Sequence, residues 1–78
     1  MSDLPNADAE WDAGRLGCGE VLVMLRSRMR RLAGGQVLKV TVRDLGAPEE
    51  MPAWCRMTRR RLLRADHPDY WIEQRQEP

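Results

Sequence analysis

Apolar and polar residues alternate with two different periods along the chain, and each period predicts a different element. From residue 19 to residue 33 the apolar positions recur every three or four residues, which is the spacing of one helix face. This stripe consists of Leu22, Leu25, Met29 and Leu32. The glycine pair at 34–35 is expected to end the helix, because glycine adopts the left-handed cap conformation without steric cost.

Between residues 37 and 43 the period is two instead, with Leu38, Val40 and Val42 on one side and polar residues on the other. β-branched residues in such an alternation predict a strand with one buried face. Residues 70 to 75 predict a last strand, with residues 62 to 65 as a short partner and a turn at residues 66 to 69. Residues 11 to 13 are a weaker candidate for a first strand.

A second helix is expected to begin near Glu49 and Glu50, since acidic residues suit the first turn of a helix. Its helical spacing continues through Met51, Trp54 or Cys55, Thr58 and Leu62. Pro52 fits this helix if it lies within about the first turn, where its missing N–H costs no hydrogen bond.

The order of these elements is strand, helix, strand, helix and terminal hairpin. It predicts an α/β two-layer sandwich, a small mixed sheet with both helices packed on one face and the other face comparatively exposed. Residues 10 to 76 would form this single domain, because 78 residues leave room for only one core. The first nine residues are polar, contain Pro5 and show no period, so we expect a flexible tail.

The composition argues against several classes of protein. No apolar stretch reaches the roughly 20 residues of a membrane span, and the acidic N-terminal residues do not resemble a secretory signal. We therefore expect a soluble, cytoplasmic protein whose two cysteines, Cys18 and Cys55, are free thiols. His67 has no partner at metal-ligand spacing, so no metal site is expected.

Positive charge is concentrated in the middle of the chain. Residues 21 to 65 contain eleven Lys and Arg residues against three acidic ones, although the whole chain has a formal net charge of +1. In the predicted second helix, Arg56, Arg60 and Arg64 would form a row with the i, i+4 spacing of one face. Such a face is either solvated or a docking surface for an acidic partner protein, with RNA phosphate as a third and less favoured interpretation.

Cys18 is the main candidate for a reactive residue, because it directly precedes the first predicted helix. The N–H groups and dipole at a helix N-terminus favour an anion, which lowers a thiol pKa by up to about one unit. Arg15 is expected to favour the thiolate further, and Glu20 to disfavour it. The sequence therefore predicts a thiol whose pKa is modestly lowered.

Several spaced residues match the pattern of a known family. Trp11-Asp12-Ala13 corresponds to a first strand and its aspartate, Cys18 follows at the family's distance, and Asp44 matches the acid that closes the next strand. Residues 51 to 56, Met-Pro-Ala-Trp-Cys-Arg, are similar to the family's second-helix segment. On these motifs, residues 10 to 76 resemble the TusA/SirA-like family of sulfur-carrier proteins.

The resemblance implies a βαβαββ sandwich in which Cys18 carries sulfane sulfur as a persulfide. Donor and acceptor proteins of a bacterial sulfur relay are the implied partners, and no metal or organic cofactor is implied. The supporting residues around Cys18 would be Asp12, Arg15, Gly19 and Glu20. Asp12 and Asp44 could both support the active loop, but each equally suits a structural role as a strand-end or helix-cap acceptor. We expect the protein to be a monomer.

The chain departs from the family pattern directly after Cys18. The family has Cys-Pro-x-Pro where this chain has Gly19 and Val21 in place of the prolines, and Arg15 replaces a glycine of the preceding loop. Proline at the first helical position fixes φ near its helical value, so Gly19 predicts a looser helix start. Two hypotheses remain open. The protein is either an active sulfurtransferase or a non-catalytic interaction or regulatory module that docks through its arginine row.

Overall fold

The computed structural model describes residues 4 to 76. Its elements are β1 (Ala9–Asp12), α1 (Cys18–Arg30), β2 (Val37–Thr41), α2 (Ala47–Met57), β3 (Arg61–Asp66) and β4 (Asp69–Glu73). The strands form one sheet in the order β1-β2-β4-β3, in which β1 is parallel to β2 and the other pairs are antiparallel. The predicted βαβαββ fold with a mixed sheet and a terminal hairpin is confirmed.

One face of the sheet carries the core of the protein. The strand register places Leu38 of β2 beside Ile72 of β4 and Val40 beside Tyr70, and all four side chains are buried. Both helices bury their apolar stripes in the same cluster. The predicted alternation of buried and polar positions in the second strand is therefore confirmed, because one side of β2 meets the helices.

The buried stripe of α1 is centred on Val21, Leu25 and Met29, which have no exposed surface. Leu25 and Met29 are members of the predicted stripe. Leu22 and Leu32 are only partly buried at its margin, and Val21 takes the central position. The predicted apolar stripe is therefore present, but its buried centre is rotated by part of a turn from the predicted position.

The C-terminal end of α1 differs from the prediction, since the helix ends at Arg30 rather than at residue 33. The side-chain amide of Gln74 donates to the carbonyl of Met29, and the backbone carbonyl of Gln74 accepts the N–H of Gly35 at 2.9 Å. These bonds draw the chain towards β4. Gly35 makes the turn with a φ of +87°, a conformation that favours glycine.

Helix α2 begins at Ala47 and ends at Met57. Pro52 lies inside the helix, beyond its first turn, so the prediction that it belongs to the first turn is wrong. Leu62 lies in β3 rather than in the helix. The helix cannot continue to Leu62 because Arg59 adopts a φ of +59°, a left-handed conformation that interrupts a right-handed helix.

The second face of the sheet is partly covered. Trp71 points to this face and is 3% exposed, because the ammonium group of Lys39 lies 5.5 Å from its ring centre and residues 4–7 line the same groove. The predicted tail also reaches the sheet, since β1 begins at Ala9 and the N–H of Asp8 donates to the carbonyl of Val37 at 2.8 Å. Residues 1–3 of that tail lie outside the described residues.

Candidate functional site

Three connecting segments meet at the edge of the sheet where α1 begins. The loops that leave the parallel strands β1 and β2 lie side by side, and the β3–β4 turn joins them because β4 runs antiparallel to β2. Cys18 is the first residue of α1, and its N–H donates to Oδ2 of Asp44, in the β2–α2 loop, at 2.9 Å. Its side chain is buried, with an exposed fraction of 4%.

Two carboxylates are the charged groups that act on the Cys18 thiol. Burial raises the pKa of the thiol most, and the carboxylates of Glu50, in the first turn of α2, and of Asp44 raise it further. Both carboxylates pack against Gly46, where an added Cβ would lie 3.2 Å from Oδ1 of Asp44 and 3.8 Å from Oε1 of Glu50. The N–H of Gly46 holds Asp44 in place by donating to Oδ1 at 2.7 Å.

This environment disfavours the thiolate. Burial, together with the hydrogen bond and charge of Glu50 and the charge of Asp44, raises the pKa of Cys18 to about 12. The prediction of a modestly lowered pKa is wrong. The main physical reason is burial, which the helix terminus does not offset, since Asp44 already accepts the first N–H of α1.

Asp12, predicted to support Cys18, holds a loop in place. Both of its carboxylate oxygens accept from the guanidinium group of Arg43, and Oδ1 also accepts the N–H of Gly14 at 2.8 Å. These interactions lower the pKa of Asp12 to about 2. Asp12 thereby ties the β1–α1 loop to the end of β2, which is the structural alternative that the sequence left open.

The other three predicted supporting residues, Arg15, Gly19 and Glu20, are exposed. Arg15 lines a shallow groove of about 250 Å³ that Asp44 also borders. A Cβ added at Gly19 would meet no atom within 4 Å, so a larger residue has space there. The effects on the thiol that were predicted for Arg15 and Glu20 are replaced by those of carboxylates from the second loop and helix.

Sequence reasoning assigned Glu50 only to a helix start and missed its contact with Cys18. A signal for this contact is present in the predicted topology. Helices that follow two adjacent parallel strands begin at the same edge of the sheet. The first turns of α1 and α2 are therefore neighbours, although they are far apart in sequence.

A buried tyrosine borders the same edge from β4. Tyr70 is 1% exposed, and its hydroxyl lies 2.6 Å from Nδ1 of His67 in the β3–β4 turn. Burial and the nearby Cys18 raise the pKa of Tyr70, which indicates that the tyrosine lies close to the thiol. The sequence analysis considered His67 only as a metal ligand and missed this pair.

The predicted arginine row is not a helix face. Only Arg56 belongs to α2, because Arg60 follows the helix and Arg64 lies in β3. Arg60 is 7% exposed, donates from Nε to Oε1 of Gln74 at 2.9 Å, and lies 5.1 Å from the ring centre of Trp54. It is therefore a buried structural residue, and the proposed docking row does not exist as one surface.

Four arginines meet instead in a groove between the C-terminal parts of both helices and the end of β4. This arginine groove has a volume of about 280 Å³ and is lined by Arg26, Arg30, Met57, Thr58, Arg60 and Arg75. No acidic side chain is among these lining residues, and Met57 is 77% exposed. Burial lowers the pKa of Arg60, and the positive charges of Arg75, Arg26 and Arg30 lower it further.

No group of three or more His, Cys, Asp and Glu side chains within residues 4–76 could hold a metal ion. No helix in the described part of the chain has the length and apolar character needed to cross a bilayer.

Comparison with known proteins places this site in a family. A family model described as "Sulfurtransferase TusA" matches residues 9–73, which include Cys18 and all the elements given above. The chain is 35% identical over 79 residues to the sulfur carrier protein TusA of Pseudomonas entomophila (strain L48), with 96% of this chain and 98% of the relative covered. It is 33% identical over 72 residues to the sulfur carrier protein TusA of Pseudomonas putida (strain GB-1), with 87% and 90% covered. The chain belongs to the TusA family.

Proposed function

We propose that this protein carries sulfane sulfur as a persulfide on Cys18, between a donor protein and an acceptor protein. The observation that carries the proposal is the place of Cys18, which is the first residue of α1 at the edge where three connecting segments meet in a TusA-family fold. The names of the relatives, sulfur carrier protein TusA, support carriage as the role.

Sulfur transfer of this kind is an exchange between thiols, without net oxidation. The sulfur of Cys18 attacks the outer sulfur of the donor's persulfide, the S–S bond of the donor breaks, and the donor's thiolate leaves and takes up the proton released by Cys18. An acceptor thiolate then attacks the outer sulfur held on Cys18, and the Cys18 sulfur leaves and regains a proton. Because the thiol is only 4% exposed, docking must uncover it before either attack.

Mass spectrometry after incubation with glutathione persulfide tests the proposal. We expect one added sulfur atom, about 32 Da, on the peptide that contains Cys18. Cys18→Ala should abolish the adduct. Cys55→Ala is the matched control and should keep it, because it removes the other buried thiol. An adduct confined to Cys55, or none on the wild-type protein, would contradict sulfur carriage on Cys18.

The raised pKa of Cys18, about 12, favours a second candidate function. In that case the protein is a docking or regulatory module that has kept the TusA fold without the thiol chemistry. It predicts that Cys18→Ala leaves partner binding unchanged and that the wild-type protein gains no sulfur. The same mass measurement therefore separates the two candidates.

We further propose the arginine groove as the surface that docks an acidic segment of a partner protein. Its charge is available for this purpose, since Arg26 and Arg30 form no ion pair with a carboxylate within residues 4–76. Met57 adds an exposed apolar contact beside them. The groove replaces the row of Arg56, Arg60 and Arg64 in this role.

Binding of poly-glutamate, followed by tryptophan fluorescence, tests the groove. We expect saturable binding that weakens with salt and is lost when Arg26 and Arg30 are both changed to Glu. Arg56→Glu is the matched control, because Arg56 is exposed and lies outside the groove. Binding of poly-uridine in preference to poly-glutamate would favour RNA as the partner and contradict protein docking at this site.

A further inference from the structure

Arg60 forms a rigid part of the wall of the arginine groove. Its guanidinium carbon lies 5.1 Å from the ring centre of Trp54, and its Nε donates to Oε1 of Gln74 at 2.9 Å. Its backbone N–H donates to the carbonyl of Cys55 at 2.8 Å, and the residue is largely buried. Because the guanidinium group is planar, the aromatic ring and the Nε hydrogen bond together hold its two terminal nitrogens in a fixed position.

The terminal nitrogens of Arg60, Nη1 and Nη2, have no partner within residues 4–76. In this part of the chain the side chain of Arg60 donates a hydrogen bond only from Nε, and it forms no ion pair. Every fully buried side-chain nitrogen of the described residues does have a partner, so Nη1 and Nη2 reach the surface, which at Arg60 is the groove. Four N–H donors of a largely buried cation therefore face the groove without an acceptor, which costs free energy until an acceptor binds.

The rest of the groove supplies positive charge and one apolar surface. Arg26, Arg30 and Arg75 line it together with Arg60, and Met57 is the exposed apolar side chain beside them. Its volume of about 280 Å³ lies just below the roughly 300–1,000 Å³ that is typical of pockets for whole small molecules. The groove therefore suits one or two side chains of a protein segment better than a complete small ligand.

We propose that Arg60 is the anchor of the arginine groove: its Nη1 and Nη2 together bind one carboxylate of a partner protein, while Met57 contacts an apolar side chain next to that carboxylate. This proposal rests on the proposed docking of an acidic segment and adds the geometry that the groove recognises. The two oxygens of a carboxylate match a pair of guanidinium N–H groups, and Nε is already occupied by Gln74, so the terminal pair is the one that binds. Because Arg60 is already ordered and largely desolvated, binding loses little free energy in ordering or dehydrating it.

Exchange of arginine for lysine tests the anchor, because lysine keeps the positive charge but lacks the planar pair of N–H donors. The probe is a short blocked peptide of alternating glutamate and leucine, and tryptophan fluorescence measures its dissociation constant. We expect Arg60→Lys to weaken binding at least about tenfold. Arg26→Lys should weaken it less than about threefold, because Arg26 is exposed and acts mainly through its charge. Arg56→Lys is the matched control outside the groove and should leave the dissociation constant unchanged.

The contact with Met57 is tested with a second peptide, in which serine replaces leucine. We expect the serine peptide to bind the wild-type protein more weakly than the leucine peptide, and Met57→Ala to remove this difference. A difference that persists in Met57→Ala would overturn the apolar contact.

Circular dichroism and urea unfolding verify that each variant is folded. If Arg60→Lys is unfolded, nitrogen–proton NMR signals of the arginine side chains in the wild-type protein decide, and Arg60 signals that do not shift with the peptide overturn the anchor. Equal effects of Arg60→Lys and Arg26→Lys also overturn it, as does tighter binding of a uridine oligonucleotide than of the peptide. Binding that is lost when Arg26 and Arg30 are both changed to Glu, but is unchanged in Arg60→Lys, overturns the anchor alone. No binding to the wild-type protein overturns the docking role as well.

Discussion

The two cysteines of this chain are buried to a similar extent, but the charged groups around their thiols differ. Cys55 is 2% exposed in the core face of α2, and burial raises the pKa of its thiol to about 11 against the opposing positive charges of Arg60 and Arg56. Cys18 is 4% exposed at a helix terminus, and the carboxylates of Glu50 and Asp44 add to burial there. Nearby charge therefore acts in the same direction as burial at Cys18 and in the opposite direction at Cys55.

Thiol labelling should give the largest difference between the two cysteines. Cys55 can react in the folded protein only when the core opens, and with an unfolding free energy of about 5 kcal/mol the open form is roughly one molecule in several thousand. Cys18 requires only a local movement at the start of α1. We expect iodoacetamide to modify the Cys18 peptide in native buffer and the Cys55 peptide only in urea, as measured by mass spectrometry. Equal rates at both sites in native buffer would contradict the comparison.

Replacing each thiol by a hydroxyl should give the next largest difference. Cys55→Ser places a polar group in the apolar core and should lower the free energy of unfolding by about 1–3 kcal/mol. Cys18→Ser should lower it by less than about 1 kcal/mol, because Glu50 can accept a hydrogen bond from the new hydroxyl. Urea unfolding followed by tryptophan fluorescence measures both values. A larger loss of unfolding free energy for Cys18→Ser than for Cys55→Ser would contradict the comparison, because the surroundings of Cys18 would then be the less able to accept a hydroxyl.

The surroundings of Cys55 belong to the part of the molecule that the sequence predicts well. Leu38 and Val40 alternate with polar residues, and Leu25 and Met29 are spaced by four, so a local period reveals which face is buried. The ends of the helices do not follow from such a period. An i, i+4 row of arginines looks the same whether or not the helix continues, and the left-handed φ of Arg59 decides that it does not.

The surroundings of Cys18 could be predicted only in part. The position of the thiol at the start of a helix follows from the sequence. The sign of its pKa shift does not follow, because it depends on contacts with Asp44 and Glu50, which a different loop and helix supply. Local sequence therefore predicts where a thiol lies better than it predicts how that thiol ionises.

Acid should weaken the Cys18 end of the molecule through its carboxylates. Arg43 and the N–H of Gly14 lower the pKa of Asp12 to about 2, and the N–H groups of Gly46 and Cys18 lower the pKa of Asp44. Each folded pKa lies below the unfolded value, so each carboxylate stabilises the fold above about pH 4. Asp12 loses that contribution as the pH falls towards 2, and Asp44 loses its contribution as the pH falls through its own lowered pKa.

Asp12→Asn should therefore lower Tm at neutral pH and flatten its decline between about pH 4 and pH 2. Thermal unfolding followed by circular dichroism measures this difference. Glu49→Gln, which changes an exposed acid at the same edge, is the control. If the Tm of Asp12→Asn fell as steeply as that of the wild-type protein between about pH 4 and pH 2, the ion pair with Arg43 would not hold the β1–α1 loop.

The smallest effect is expected when a charge beside Cys55 is removed. Arg56→Gln and Glu50→Gln each delete one charge from an exposed residue of α2, and each of these residues acts electrostatically on one of the two thiols. Burial dominates at Cys55 and solvent screens Arg56, so we expect Arg56→Gln to change the rate at which Cys55 is labelled in urea by less than about twofold and the unfolding free energy by less than about 0.5 kcal/mol. Peptide mass mapping and urea unfolding measure both. The two variants remove unit charges of opposite sign from exposed residues. A change at Cys18 in Glu50→Gln without one at Cys55 in Arg56→Gln would therefore mean that charge controls the first thiol and packing the second. Changes of equal size in opposite directions would mean that charge controls both.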